Sequence, residues 1–349
     1  MTAKADFRRL PDLASRTLGG TVMFSNDDFY ADAHRLIAPG PARHDPDLFG
    51  DRGKVYDGWE TRRRRGPDAD GATSDFVITR LGVPGVVRGV NIDTAHFKGN
   101  YPPHASVEAA TVLGYPTLDE VRAAEWQTLV DKTDLDGDSA NVVPVAAEQL
   151  ATHVRLTIHP DGGVARLRVF GEAVPDPRRL GGRVDLGALV HGGLVEACSN
   201  MFYSSPANVL SPGRARVMSD GWETARRRDD GNDWLVVRLG APGVLHEVVI
   251  DTSRFVGNAP GWASLTDAES GVELLPRTRL LPDTEHRFRL AAAPAASLVR
   301  LDIYPDGGIS RLRLLGSVPD DARDAVARRW LDLLPPEQAA SIDPVDLFA

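Results

Sequence analysis

The residues with the most chemistry in this chain sit in one string that occurs twice. Asp57-Gly-Trp-Glu60-Thr is followed by Arg62, Arg63, Arg64 and Arg65; Asp220-Gly-Trp-Glu223-Thr is followed by Ala225, Arg226, Arg227 and Arg228. Asp57, Glu60 and Glu223 are of the type that moves protons. Guanidinium groups match planar carboxylates in a bidentate fork, so Arg63, Arg64, Arg226 and Arg227 are candidates to hold a carboxylate, internal or bound. The structural alternative is a solvated charged face or an ion-pair network. On a strand, successive side chains point to opposite faces, so part of each arginine run is expected to enter structured surroundings. A second pair of strings adds His96 and Asn100 in Ile-Asp-Thr-Ala-His-Phe-Lys-Gly-Asn, and Asn258 in Ile-Asp-Thr-Ser-Arg-Phe-Val-Gly-Asn. Asp93 and Asp251 are placed to accept from turn amides, and the Gly-Asn pairs suit a tight turn. His96 is matched by Arg254, so the two copies differ in chemistry there.

Other chemistries are excluded. His153 and His159 share a strand face but lie roughly 20 Å apart, too far for one metal. Asp134-Leu-Asp-Gly-Asp138 fails as a calcium loop, because Lys132 and Val143 would fall at its first and twelfth positions. No nucleophile elbow, phosphate loop, dinucleotide fingerprint or Cys/His zinc cluster occurs. A net charge of −9 argues against nucleic acid as a partner. The N-terminal stretch lacks the apolar core of a signal peptide, and no apolar run is long enough for a membrane span, so a cytoplasmic protein is expected. The one cysteine, Cys198, allows no intrachain disulfide and is expected as a buried, inert thiol.

The elements that carry these strings are also duplicated. Residues 80–100 recur at 238–258, and 154–171 at 299–316; the lead-in 12–20 recurs at 185–193. The offset falls from 173 at the lead-in to 163 at the Asp-Gly-Trp-Glu-Thr string, then to 158 and 145. The copies therefore differ by insertions between shared blocks, where loops tolerate them. Val154, Leu156 and Ile158 alternate with polar residues, as do Val299, Leu301 and Ile303, and this is the period of a half-buried strand. Pro-Asp-Gly-Gly follows each run and reads as a hairpin turn. Residues 75–82 and 86–93 read as two strands joined by a Gly-Val-Pro-Gly turn, with the same pattern in the second copy. A helix is expected over 320–334, ended by Pro335 and Pro336, and another over 117–130. The fold class is all-β: two tandem homologous jelly-roll β-sandwich domains with a short C-terminal helix. The expected bounds are 1–172 for the first repeat, 173–185 for a linker, 186–317 for the second repeat and 318–349 for a helical tail.

Taken together, Ser-Asn-Asp-Asp-Phe-Tyr (25–30), the Asp-Gly-Trp-Glu-Thr strings, the Ile-Asp-Thr strings and the Pro-Asp-Gly-Gly strings, each with its second-copy echo, resemble the allantoicase family over residues 10–317. The resemblance implies two galactose-binding-like jelly rolls, an oligomer of identical chains, and release of urea from allantoate to leave ureidoglycolate in purine catabolism. For that reaction, residue chemistry makes Arg63 or Arg64 the candidate anchor of the substrate carboxylate, and Glu60 with Asp57 or His96 the candidate proton carriers. Glu223, Arg226 and Arg227 could serve instead, and Asn100 and Asn258 complete the substrate-binding candidates. Metal dependence is open: a divalent ion such as manganese is the candidate, with no ligand motif to hold it. A non-catalytic jelly-roll binding protein and a degenerate family member are the alternatives. Low aromatic content (7%) weighs against an aromatic sugar-binding platform.

Overall fold

Apolar alternation becomes strand throughout both repeats. The computed structural model describes residues 6–67 and 71–349. The chain divides into two compact units: residues up to Glu172 with Leu333–Pro335, and Ala173–Asp332 with Pro336–Ala349.

The first unit carries β1 (Thr21–Ser25), β2 (Phe49–Gly50), β3 (Gly53–Lys54), β4 (Trp59–Glu60), β5 (Asp75–Asp93), β6 (His104–Ala110), β7 (Gln127–Asp134), β8 (Ala140–Pro144), β9 (Leu150–His159), β10 (Gly163–Val164) and β11 (Arg166–Ala173). Its main sheet runs β1-β5-β9-β6-β7, with β8 and β11 also pairing to β5. The second unit repeats the plan with β12 (Val184–Asp185), β13 (Leu194–Cys198), β14 (Trp222–Glu223), β15 (Asp233–Asp251), β16 (Trp262–Asp267), β17 (Glu273–Arg279), β18 (Glu285–Arg289), β19 (Ala296–Tyr304), β20 (Gly308–Ile309) and β21 (Arg311–Ser317). The path β21-β15-β19-β16-β17 is its main sheet. Both units are all-β, as the alternation predicts. Val77, Val90, Ile92, Val154, Leu156, Ile158, Leu167 and Val169 are wholly buried in the first core, and Leu235, Val237, Val248, Leu301, Ile303, Leu312 and Leu314 are equally buried in the second.

Four local expectations are corrected. Residues 75–93 form one strand, not two. β5 pairs with β9 up to Val86 and with β8 from Gly89 to Asp93, so one strand serves two sets of partners. The Gly-Val-Pro-Gly segment is a register shift within it, not a turn. Pro-Asp-Gly-Gly is not a hairpin: β10, which begins on its last glycine, pairs with β4 rather than with β9. The helix over 117–130 spans only Leu118–Ala123, closed by a Thr117–Glu120 capping box, because Gln127–Asp134 is claimed by pairing with β6. Cys198 is half-buried rather than buried. It ends β13, which among the described residues pairs only with β15, across a bulge.

The tail helix α2 spans Asp320–Asp332 and buries Trp330, whose ring lies 4.9 Å beneath the Arg178 guanidinium. A short helix, Pro336–Ala340, follows. No helix among the described residues is long and apolar enough to cross a membrane.

Candidate active site

The repeated charged string is half of a clasp, and Pro-Asp-Gly-Gly is the other half. β4 pairs with β10 through Trp59–Val164 and Glu60–Gly163. The Thr61 amide donates to the Gly162 carbonyl at 3.1 Å, and the Gly162 amide donates to Thr61 Oγ1 at 3.2 Å. Trp59 is wholly buried, with Nε1 donating to the Asp27 carbonyl at 2.7 Å. Gly58 is required by contact, since a Cβ there would lie 2.6 Å from the Val164 carbonyl oxygen. The second unit repeats each feature: Trp222 with the Asn200 carbonyl, Thr224 with Gly307, and Gly221 against Ile309.

The charges of the string are largely used inside this clasp. Arg62–Arg65 lie beyond β4 in irregular backbone, not on a strand. The Arg64 amide donates to Asp161 of Pro-Asp-Gly-Gly at 2.8 Å, and its guanidinium grips Asp75 at 2.7 Å. Arg227 matches it, with its amide on Asp306 and its guanidinium on Asp233 and Asp229. Asp57 receives the Arg166 guanidinium at 2.6 Å, Arg35 at 3.2 Å and the Arg43 amide at 2.9 Å. Burial alone would raise its carboxyl, but these donors hold it below the usual range. Asp75 ends up raised, because burial outweighs the Thr61 and Arg64 contacts. Arg63 and Arg226 are exposed.

Glu60 and Glu223 have a different partner. Asn100 Nδ2 donates to Glu60 Oε1 at 2.7 Å, and Asn258 Nδ2 to Glu223 Oε1 at 2.6 Å. Burial pushes the Glu60 carboxyl up, and the Asn100 bond offsets part of this. His96 is brought beside Asn100 by a fastened loop. Asp93 accepts from the Ala95 amide, Thr94 Oγ1 bonds the Asp136 carbonyl at 2.6 Å, and Asp138 accepts from the His96 amide at 2.7 Å. That holds His96 at φ 71°, and Arg254 sits at φ 76° in the matching loop. A non-glycine residue there costs about 1–3 kcal/mol, retained only where surroundings over-determine it.

What separates the repeats is an insertion. The Arg43 amide bonds Asp57 as the Arg216 amide bonds Asp220, yet 13 residues (44–56) lie between the first pair and three (217–219) between the second. The extra residues form the β2–β3 hairpin and wall a pocket of about 380 Å³, within the usual range for small-ligand sites of roughly 300–1,000 Å³. His44, Lys54 and Tyr56 come from the insertion; His96, Lys98, Gly99, Asn100 and Asp138 come from the shared loops. The aromatic groups are stacked in sequence: His96 on His44 (5.1 Å), His44 on Tyr56 (6.0 Å), Tyr56 on Phe97 (4.7 Å). At matched positions the second repeat has Arg254 for His96 and Val256 for Lys98. The pocket thus offers two ammonium groups, of which Lys98 lies 3.7 Å from the Asp138 carboxylate, two imidazoles, and an amide held in place by a glutamate.

Of the residues singled out from sequence, His96 and Asn100 line this pocket, and Glu60 reaches it through Asn100. Asp57, Arg63 and Arg64 are not among its lining residues. Glu223, Asn258, Arg226 and Arg227 belong to the second unit. His44, Lys54, Tyr56, Lys98 and Asp138 were missed. The fall in repeat offset from 173 to 163 was the available signal, because it locates an insertion between residues 20 and 57. Among the described residues, no three His, Cys, Asp or Glu side chains come together as metal ligands.

The family model for the allantoicase repeat matches residues 11–174 and 184–319. A probable allantoicase of Streptomyces avermitilis is 51% identical over 95% of this chain and 92% of its own length. One of Nocardia farcinica is 52% identical over 90% of this chain and 97% of its own. The crystal structure of allantoicase from Saccharomyces cerevisiae superposes with a TM-score of 0.77 at 32% identity, covering 90% of this chain and 97% of that one. A duplicated all-β unit, matched twice by one repeat model and carried along nearly its whole length by such relatives, places this chain in the allantoicase family.

Proposed function

We propose that the chain hydrolyses allantoate to ureidoglycolate and urea, and that the first repeat's pocket does the chemistry. Family membership supports the reaction. The insertion-built pocket supports the place, because it gathers imidazoles and ammonium groups that the second repeat lacks.

The reaction joins water to the carbon that bears the carboxylate and two ureido groups. A C–O bond forms and one C–N bond breaks. Water gives up one proton, and the departing ureido nitrogen gains one. The other ureido nitrogen helps expel urea through an imine-like intermediate that water then captures. Lys54 and Lys98 hold the carboxylate. Asn100, oriented by Glu60, hydrogen-bonds a ureido group through its carbonyl oxygen. His44 and His96 carry the two protons, one delivered to the leaving nitrogen and one taken from water. Proton exchange with solvent restores both rings, so the balance needs no co-reactant.

Urea release from allantoate by the purified chain, with and without added manganese, tests the reading. Turnover is expected. Its absence under both conditions would overturn the reading in favour of a non-catalytic binding protein.

A further inference from the structure

His44 and His96 share the first repeat's pocket, and one hydrogen bond tells them apart. His96 Nε2 lies 3.3 Å from the Ala42 carbonyl oxygen. A carbonyl has no proton to give, so Nε2 is the donor and carries the ring's hydrogen. In the neutral ring the lone pair then belongs to Nδ1. The second repeat fixes the direction of this bond independently. Arg254 stands at the matched position, and its Nε lies 3.5 Å from the Ala215 carbonyl oxygen. Ala42 and Ala215 are equivalent, because each precedes the arginine whose amide bonds the aspartate of the charged string, Arg43 to Asp57 and Arg216 to Asp220. A guanidinium donates and never accepts, so this carbonyl meets a donor from the same loop position in both copies. The loop backbone agrees, at φ 71° for His96 and 76° for Arg254. His44 is held differently. Its ring is exposed and stacks on Tyr56 and His96, and among the described residues no hydrogen bond claims either of its nitrogens.

We infer, granted the hydrolysis proposed above, that His96 is the general base, acting through Nδ1, and His44 the general acid. A base needs its lone pair on a fixed nitrogen, and the Ala42 bond supplies that. The same bond strengthens once the ring takes up a proton and becomes charged, as when a third group orients a catalytic base. An acid needs no such bond, because an imidazolium carries a proton on both nitrogens, and an exposed ring reloads from solvent. The rings lie 5.1 Å apart with their planes at 20°. Lys54, Tyr56, Lys98 and Asp138 are the other charged or titratable groups lining the pocket, Glu60 lies behind Asn100, and Arg43 and Asp45 flank His44 in the chain. Two imidazolium rings at that spacing repel each other, so the pair works with one proton between them, on His44 at the start. His44 gives that proton to the departing ureido nitrogen as the C–N bond breaks and its electron pair leaves on that nitrogen. The lone pair of the other ureido nitrogen closes a C=N bond. Water then adds to that carbon, the pair returns to nitrogen, and His96 Nδ1 takes the water proton. His44 is neutral before His96 becomes charged, so the repelling state is avoided. Exchange with solvent unloads one ring and reloads the other.

Two measurements on the full chain test this. Nitrogen-15 NMR of the histidine-labelled wild type reads the tautomer, with the His96 signals identified by their loss in His96→Asn. At a pH where the ring is neutral, Nε2 is expected at the shift of a protonated nitrogen and Nδ1 at that of an unprotonated one. The opposite pattern, or two averaged shifts, overturns the inference whatever the activity. The pH dependence of kcat for urea release tests the roles. The wild type is expected to rise and then fall with pH. His96→Asn should lose the rise and His44→Gln the fall, each with kcat reduced about a hundredfold or more and circular dichroism unchanged. Exchanged limbs, or either variant keeping the wild-type rate and profile, overturn the roles while the hydrolysis stands. No urea release by the wild type overturns the hydrolysis itself, and the roles with it.

Discussion

Lowering the pH from 7 to 5 removes about 2 kcal/mol of stability that depends on one side chain, His153. The residue lies on β9, 1% exposed. Its Nδ1 is 2.8 Å from Thr152 Oγ1, and Nε2 has no hydrogen-bond partner among the described residues. Burial, reinforced by the Arg80 charge, lowers its pKa from 6.5 to about 4. The folded state therefore holds the ring neutral, while the unfolded chain protonates it near pH 6.5. Stability from this group is fully present above pH 6.5 and is lost as pH falls towards 4. Each pH unit of separation is worth about 1.4 kcal/mol, so the whole loss is about 3 kcal/mol, of which about 2 has gone by pH 5. His159 shifts the same way, through burial and the nearby Lys132 and His104, so the wild type alone does not isolate His153. His153→Leu does. Thr152 Oγ1 keeps its bonds to the Ala110 carbonyl and the Val112 amide, so no new buried polar group is stranded. Urea unfolding at pH 5 and pH 7 is the assay. The wild type should lose about 2 kcal/mol more than His153→Leu over that interval. Equal losses would refute the reasoning.

Three further outcomes are expected. Lys98→Ala should raise KM for allantoate by roughly ten- to a hundredfold, the value of a hydrogen bond to a charged group, about 1.5–3 kcal/mol; an unchanged KM in steady-state assays would remove Lys98 as the anchor. Gly58→Ala should lower stability by about 1–3 kcal/mol through overpacking against the Val164 carbonyl, and thermal melting would reveal it; an unshifted melt would mean the clasp yields freely. Glu60→Gln should slow urea release more than Glu223→Gln, because only Asn100 borders the pocket; parallel kinetics that rank the two in reverse would contradict that assignment.

Much of the framework is legible before folding. Alternation at Val154, Leu156 and Ile158 gives the strand and its buried face, and the two copies give the duplication. Alternation does not say which strand lies alongside. That is why Pro-Asp-Gly-Gly reads as a hairpin, when its partner is Trp59–Glu60, about a hundred residues earlier in the chain. The arginine string misleads for the same reason. Arg64 and Asp57 look available until the fold pairs them, Arg64 with Asp75 further along the chain and Asp57 with Arg166 about a hundred residues on. Repetition draws attention to what the copies share, and what they share here is mostly the clasp. The residues that wall the pocket, His44, Lys54 and Tyr56, have no counterpart in the second copy and no periodicity of their own. His96 stood out because it breaks the match.

The central claim is that the first repeat alone carries the chemistry, and one matched pair of variants tests it most directly. His96→Asn and Arg254→Asn alter equivalent positions at φ 71° and 76°, and asparagine tolerates that backbone. Urea release should fall by a hundredfold or more in His96→Asn, on the scale of a lost general acid or base, and stay within about twofold of wild type in Arg254→Asn. Full activity in His96→Asn, or an equal loss in both, would contradict the account.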